Sequence, residues 1–245
     1  MTRELIGIRY SPWTQKARWP LEHHGIAYRY SEHLMMVGIP LLCLKSSRWN
    51  PDVTVPTMIC EDEVLPNSFA IARWADRQGK GASLFPDAQM GAIEEWNTRS
   101  DGMLESGRLL LTQEMLREPR SLAEAMPPLM RLLPGSMVVA KQAARYVLRR
   151  YDRPGDRTIW LDTMEKGLTS LRQALNGGDY LLGSFTFADI AMATALQMVA
   201  PPTSRYVQMG PISRRCWTRT ELLDGASDLL AWRDRIFERH APRGL

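Results

Sequence analysis

Ser11 and Thr14, with Pro12 and Trp13 between them, bring two hydroxyl groups to a point where a strand-like run gives way to a helical one. The first N–H groups of a helix have no intrahelical partner and the helix dipole presents its positive end there, so an anion is favoured. A thiolate is one such anion. A free thiol ionises at a pH of about 8.5, and a hydroxyl donor beside a helix N-terminus raises the small nucleophilic fraction present near neutrality. Ser11 is the candidate donor. Thr14 is a second candidate, or simply an N-cap hydroxyl, and Tyr10 a third, either as a phenolic donor or as a ring packed at the strand end. Such a site would position an activated sulfur against an electrophile.

The elements that must carry these residues follow from pattern. Leu5 to Ile8 and Ala27 to Tyr30 read as strands on either side of a helix, a βαβ opening, with Pro20 expected to kink or shorten that helix. The segment from Glu32 to Asn50 reads as apolar packing in place of a regular second helix. Thr57 to Cys60 and Glu63 to Leu65 form a hairpin turned at Asp62, and Asn67-Ser68 opens a helix that turns Ile71 and Trp74 or Phe69, Ala72 and Ala75 inward. The run from Gly79 to Asp87 is a linker by composition. Helical patterns then fill the rest. They run from Ala88 to about Arg117, from Ser136 to Tyr151, along a face of Trp160, Met164, Leu168, Leu171 and Leu175, from Phe187 to Val199, and from Asp228 to Glu238. Thr186 and Asp189 have capping-box spacing, which makes Asp189 structural. Pro202 to Trp217, with Arg205, Tyr206, Arg214, Arg215 and Trp217, could fold back toward a cleft.

With 245 residues and 44% hydrophobic content the chain can build two modest domains or one large one. Its net charge of +4 reads as spread along the chain without a basic block, which argues against nucleic acid or membrane partners. The N-terminal residues form no signal-peptide apolar core, so the expected location is the cytoplasm. Three cysteines, Cys43, Cys60 and Cys216, are odd in number and widely spaced, against a disulfide framework. His23 and His24, as helix neighbours, cannot share one metal and read as surface or helix-end residues; no metal site is expected.

Residues 11 to 18, Ser-Pro-Trp-Thr-Gln-Lys-Ala-Arg, resemble the active-site turn of the glutathione S-transferase superfamily, with Ser-Pro-Trp-Thr in the place of the Cys-x-x-Cys of redox-active relatives. Val55-Pro56-Thr57 resembles the family's cis-proline turn, Asn67-Ser68 its pair at the start of the third helix, and Gly183 to Asp189 the capping motif of its helical domain. The resemblance implies a thioredoxin-like α/β domain over 1–78, a linker over 79–87 and an all-helical domain over 88–245. It implies glutathione as co-substrate. Ser11 would hold the thiolate, Val55 and Pro56 would offer backbone, and Asn67 and Ser68 would grip the γ-glutamyl group, with Trp13 alongside. Asn67 stands where an acidic residue or Gln is usual, and could still accept a hydrogen bond from the ligand ammonium. Lys45 or Arg48 would meet the glycyl carboxylate. The pocket for the electrophile is expected between the domains, with Trp13, Met35, Met36, Met103 and Arg108 as candidates. A homodimer through the third and fourth helices is implied as well.

The expected activity is transfer of glutathione to an electrophilic small molecule, as in detoxification. The same thiolate could instead serve ether cleavage, dehalogenation, isomerisation or addition to an activated alkene, and a non-catalytic binding protein on this fold is the alternative outside enzymes. A thiol-disulfide oxidoreductase is disfavoured, because neither Ser11 nor Thr14 is a cysteine.

Overall fold

Short apolar runs punctuated by turns build a four-stranded sheet in the first part of the chain. The computed structural model describes residues 3–34, 38–47, 49, 53–126, 128–152 and 154–242. Strand β1 (Glu4–Gly7) leads into helix α1 (Pro12–His23), followed by β2 (Arg29–Glu32), α2 (Ile39–Ser46), β3 (Thr57–Ile59), β4 (Val64–Leu65) and α3 (Ser68–Gln78). The strand order is β2-β1-β3-β4, with β1 and β2 parallel and the other neighbours antiparallel. This is the thioredoxin-like arrangement. Its core joins Leu5 and Met58 of the sheet to Ala17 and Leu21 of α1 and to Ile71, Trp74 and Ala75 of α3.

Two local expectations need correction. Residues Ile39–Ser46 form a regular helix, α2, because Pro40 is compatible with a first helical turn and Leu42 and Cys43 supply a buried face. Helix α1 runs through Pro20 to His23 without ending early, since the proline falls in its last turn and the helix is held by its buried residues Ala17 and Leu21.

The chain then continues as α4 (Met90–Arg117), α5 (Pro119–Ala125), α6 (Pro128–Arg131), α7 (Ser136–Arg150), α8 (Arg157–Leu175), α9 (Phe187–Ala195), α10 (Pro211–Trp217), α11 (Thr220–Leu223) and α12 (Ser227–His240). Two compact units result, one of Met1–Asn97, Tyr180–Thr194 and Ile236–Leu245, the other of Thr98–Asp179 and Ala195–Arg235. These differ from a simple division at the 79–87 linker. The first unit draws in later segments through non-local hydrogen bonds: Phe187 N–H to Leu84 C=O at 3.0 Å, Gln89 Nε2 to Leu182 C=O at 3.0 Å, and Trp19 Nε1 to His240 C=O.

Within the first unit His24 is buried, which corrects the surface reading. Its Nε2 lies 3.1 Å from Asp76 Oδ1, and Asp76 also accepts from Leu84 N–H at 2.6 Å and Ser83 Oγ at 2.8 Å. Burial holds the His24 pKa below the ordinary imidazole value, with His23 adding to the effect and Asp76 opposing it. Burial lowers His33 and His240 too. A histidine with a depressed folded pKa binds more protons when unfolded, so its contribution to stability is present above a pH of about 6.5 and is lost as pH falls below it. Urea unfolding at stepped pH should therefore show stability dropping below this point, His24 alone supplying a slope of up to about 1.4 kcal/mol per pH unit. Asp189 acts in the opposite sense over a lower range, between 3.8 and about 6, as its pKa is raised to about 6. A flat profile over the histidine range would show that these imidazoles are not held neutral.

The second unit packs Trp160, Met164, Leu168, Leu171 and Leu175 of α8 inward, the face that the sequence spacing predicts. Asp156 caps that helix, accepting from Thr158 N–H at 2.9 Å and Ile159 N–H at 3.1 Å. Residues 202–217 carry a helix of their own. They include α10, whose first N–H groups, Ile212 at 3.2 Å and Ser213 at 2.6 Å, donate to the Glu124 carboxylate of α5. Among the described residues, no helix is long and apolar enough to cross a membrane.

Candidate functional site

Strand register gathers three of the sequence motifs at one end of the sheet. Ile6 pairs with Thr57 in the antiparallel β1–β3 ladder, so the end of β1 that leads to the turn carrying Ser11 lies beside the end of β3 that Val55-Pro56 enters. Met58 pairs with Leu65, which puts the end of β4 that leads to Asn67 at the same end of the sheet. The Val55-Pro56 peptide bond is cis, as the resemblance implies. Tyr10-Ser11, Val55-Pro56 and Asn67-Ser68 thus share one edge of the first unit.

Ser11 is the N-cap of α1, with extended backbone at φ −73° and ψ 127°, and its side chain makes no capping hydrogen bond to the helix. Backbone alone closes the turn: Ser11 N–H donates to Ile8 C=O at 2.9 Å, and Gln15 N–H to Ser11 C=O at 3.0 Å. Ser11 is half-buried at the helix mouth, and its hydroxyl makes no hydrogen bond to a described residue.

Thr14 has a different place. It is 0% exposed, and its Oγ1 accepts from Ile8 N–H at 3.1 Å while its side chain fills the space above Gly7, where a Cβ would meet it at 2.7 Å. It is therefore a clamp on the turn, and the N-cap position belongs to Ser11. Gln15, which the sequence reading passes over, works alongside it: Nε2 donates to Arg9 C=O at 3.1 Å. A polar residue on the buried side of a helix's first turn was the available signal.

Tyr10 is half-buried, and its pKa is pushed up to about 12 by burial and by the Glu32 carboxylate. A phenol so weakly acidic stays protonated at neutral pH. Trp13, in the first turn of α1, is half-buried.

Asn67 caps α3 by accepting from Ala70 N–H at 2.8 Å. This alters the expected contact, because with Oδ1 so engaged the amide offers its NH2 donors to a ligand carboxylate rather than only an acceptor to an ammonium. Ser68 follows as a buried first helical residue.

Lys45 does not wait for a ligand. Its Nζ donates to Glu4 Oε1 at 2.6 Å, and Arg29 reaches Glu4 Oε2 at 3.0 Å. Burial alone would raise the Glu4 pKa, but the hydrogen bonds from Lys45, Ser31 and Arg29 overcome it and hold the carboxyl below its ordinary value. The Lys45 ammonium is thus paired with a carboxylate on β1. Arg48, Met35 and Met36 lie outside the described residues.

Met103 and Arg108 belong to the second unit. Met103 is core, 1% exposed and packed across Gly167 of α8, so it is not a pocket side chain. The Arg108 guanidinium stacks on Tyr151 at 3.7 Å from the ring centre. No cysteine offers a competing nucleophile. Cys43 and Cys216 are buried, and burial, with Glu63 adding, pushes the Cys60 thiol above its ordinary pKa. Among the described residues no group of three or more His, Cys, Asp or Glu is placed to hold a metal ion.

A thioredoxin-like sheet carrying a serine at the mouth of α1, a cis-proline turn and a capped third helix, continued by a largely helical remainder, defines the class. Residues 10–78 match the family described as glutathione S-transferase, N-terminal domain. A probable glutathione S-transferase of Solanum tuberosum is 31% identical over 84 residues, which cover 34% of this chain and only 37% of that one. Among solved structures, a glutathione S-transferase of Methylobacillus flagellatus with glutathione bound has a TM-score of 0.60 at 19% identity, covering 97% of this chain and 95% of that one. A beta-etherase of Sphingobium sp. strain SYK-6 has a TM-score of 0.62 at 17% identity, covering 98% and 96%. At these identities the structural likeness speaks for the fold. Residues 10–78 thus match a glutathione S-transferase N-terminal domain, and the chain as a whole shares the fold of these solved structures.

Proposed function

We propose that this chain is a glutathione-dependent transferase in which Ser11 stabilises a thiolate for attack on an electrophilic small molecule. The observation that supports the reading is the register of β1, β3 and β4, whose adjacent strand ends lead to the segments carrying Ser11, the cis Val55-Pro56 bond and the N-terminus of α3. Glutathione, when bound, supplies the thiol. Ser11 donates its hydroxyl to the sulfur, and the N-terminus of α1 adds the favourable end of its dipole, so that the charged form persists at neutral pH. Val55 offers backbone N–H and C=O, as an added strand would require. Asn67 NH2, Ser68 and the first N–H groups of α3 favour a carboxylate at the γ-glutamyl end.

Lys45 being neutralised by Glu4, the glycyl end depends on backbone and on other cations, and Lys45→Met should change glutathione affinity less than threefold. Calorimetric titration of glutathione, with ultraviolet absorbance following the thiolate, tests the whole reading. Saturable binding with a thiolate signal at neutral pH is expected. Absence of binding at millimolar glutathione would remove the transferase reading and leave a binding protein on the same fold.

A further inference from the structure

Between Glu124 and Asp152 the chain holds no acidic residue and five basic ones, Arg131, Lys141, Arg145, Arg149 and Arg150, which is more than the net charge of the whole chain, +4. A basic block does exist, contrary to the reading from total charge. Its placement gives it meaning. Helix α7 packs through its small residues Ala140 and Ala144 against Leu122, with Met115, Leu116, Met126 and Met137 alongside. The opposite face stays in solvent. Val138, Arg145 and Arg149 recur at spacings of seven and four, so they share one side of the helix, with Lys141 flanking them.

The turn before this helix is apolar and outward. Leu132 is 81% exposed, Leu133 59%, and Val138 in the first turn 63%. Exposed aliphatic residues clustered at one tip and continued by a stripe of cations without a single carboxylate are the pattern of a segment that lies on an anionic bilayer, aliphatics among the acyl chains and cations at the headgroups. Arg145 and Arg149, spaced i and i+4, repel each other in isolation, and a dense anionic surface relieves that repulsion. No ion pair with a described residue occupies Lys141, Arg145 or Arg149. The two aromatic side chains of the stretch do not form a stacking platform for nucleic-acid bases, since Arg150 lies over Tyr146 and Arg108 over Tyr151.

We propose that the turn at 132–135 and the outer face of α7 form a peripheral docking surface for anionic lipid membranes. Leu132, Leu133 and Val138 insert, and Lys141, Arg145 and Arg149 engage the headgroups. The surface rests on features separate from the Ser11 site, and its test does not depend on glutathione chemistry.

Cosedimentation of the full chain with phosphatidylcholine vesicles, with and without phosphatidylserine, tests it. Binding to the anionic vesicles at low salt, at least tenfold weaker on neutral vesicles and weakened by added salt, is the expected result. The triple variant Lys141→Glu, Arg145→Glu, Arg149→Glu should lose tenfold or more, and Leu132→Ser with Leu133→Ser should lose binding while keeping the salt dependence of what remains. All five positions are in solvent or half-exposed, and an unchanged circular dichroism spectrum confirms that the fold is retained. Equal retention on both vesicle types, or none at low salt, overturns the proposal. So does a shift in sedimentation coefficient that the leucine variant abolishes without vesicles, which would make the face a contact between two copies, or tighter binding of an acidic polypeptide than of vesicles.

Discussion

Ser11→Ala is expected to lower kcat/KM for conjugation of glutathione to an aryl halide by about 100-fold to 1000-fold, the usual consequence of removing one preorganised donor from a developing or resident anion. The hydroxyl is not needed to hold the helix, because Ser11 caps α1 through its carbonyl, which accepts from Gln15 N–H, while its side chain makes no capping bond. The loss should therefore fall on reactivity rather than on folding. Glutathione binding should weaken only modestly, and the apparent pKa of the reaction should climb toward the free-thiol value of about 8.5. Ser11→Thr, which keeps the donor, should restore much of the rate. Tyr10→Phe is the necessary counterpart. With its phenol at a pKa of about 12 behind burial and Glu32, this change should leave the rate within about threefold, whereas a donor essential to catalysis costs orders of magnitude. If Tyr10→Phe were the silent enzyme and Ser11→Ala the active one, the assignment of the donor would be reversed.

The largest stability effect is expected at Asp189, which is 0% exposed in the first unit. Its carboxylate accepts from Leu181 N–H at 2.8 Å, Thr186 N–H at 2.8 Å and Thr186 Oγ at 3.2 Å, and so ties the turn before α9 to the helix it begins. Alanine would leave three buried donors without an acceptor, each costing on the order of 1–3 kcal/mol before relaxation. A net loss of about 3–5 kcal/mol is expected, or roughly 10 °C in melting temperature for a chain of this size. Asp189→Asn keeps one acceptor oxygen and should lose about half as much. The acid range separates a second contribution. Because burial raises the Asp189 pKa to about 6 from 3.8, the native state takes up a proton first, so this group's contribution is greatest in acid and declines as pH rises through that window. The difference between wild type and Asp189→Asn should widen in favour of the wild type as pH falls from about 6 toward 4. Differential scanning calorimetry at two pH values measures both effects, and an alanine variant as stable as wild type would mean that the turn is held elsewhere.

What the sequence determined by itself was local. Ser11 before Pro12 specifies a helix start, Val55-Pro56 before a hairpin specifies the turn that enters β3, and the spacing from Trp160 to Leu175 specifies the buried face of α8, because capping, proline geometry and helical periodicity act over a few residues. Tertiary structure decided the fate of individual side chains. Lys45 became a partner of Glu4 on a strand 41 residues away, Thr14 disappeared behind the turn it was expected to arm, His24 was drawn into the core by Asp76, and Met103 became packing for Gly167. The exposed tip at Leu132 and the cationic face of α7 were likewise invisible until Ala140 and Ala144 showed which side of that helix is covered. Pairing and burial join residues distant in the chain, and a side chain is free to meet a ligand only where the fold has left it without a nearer partner.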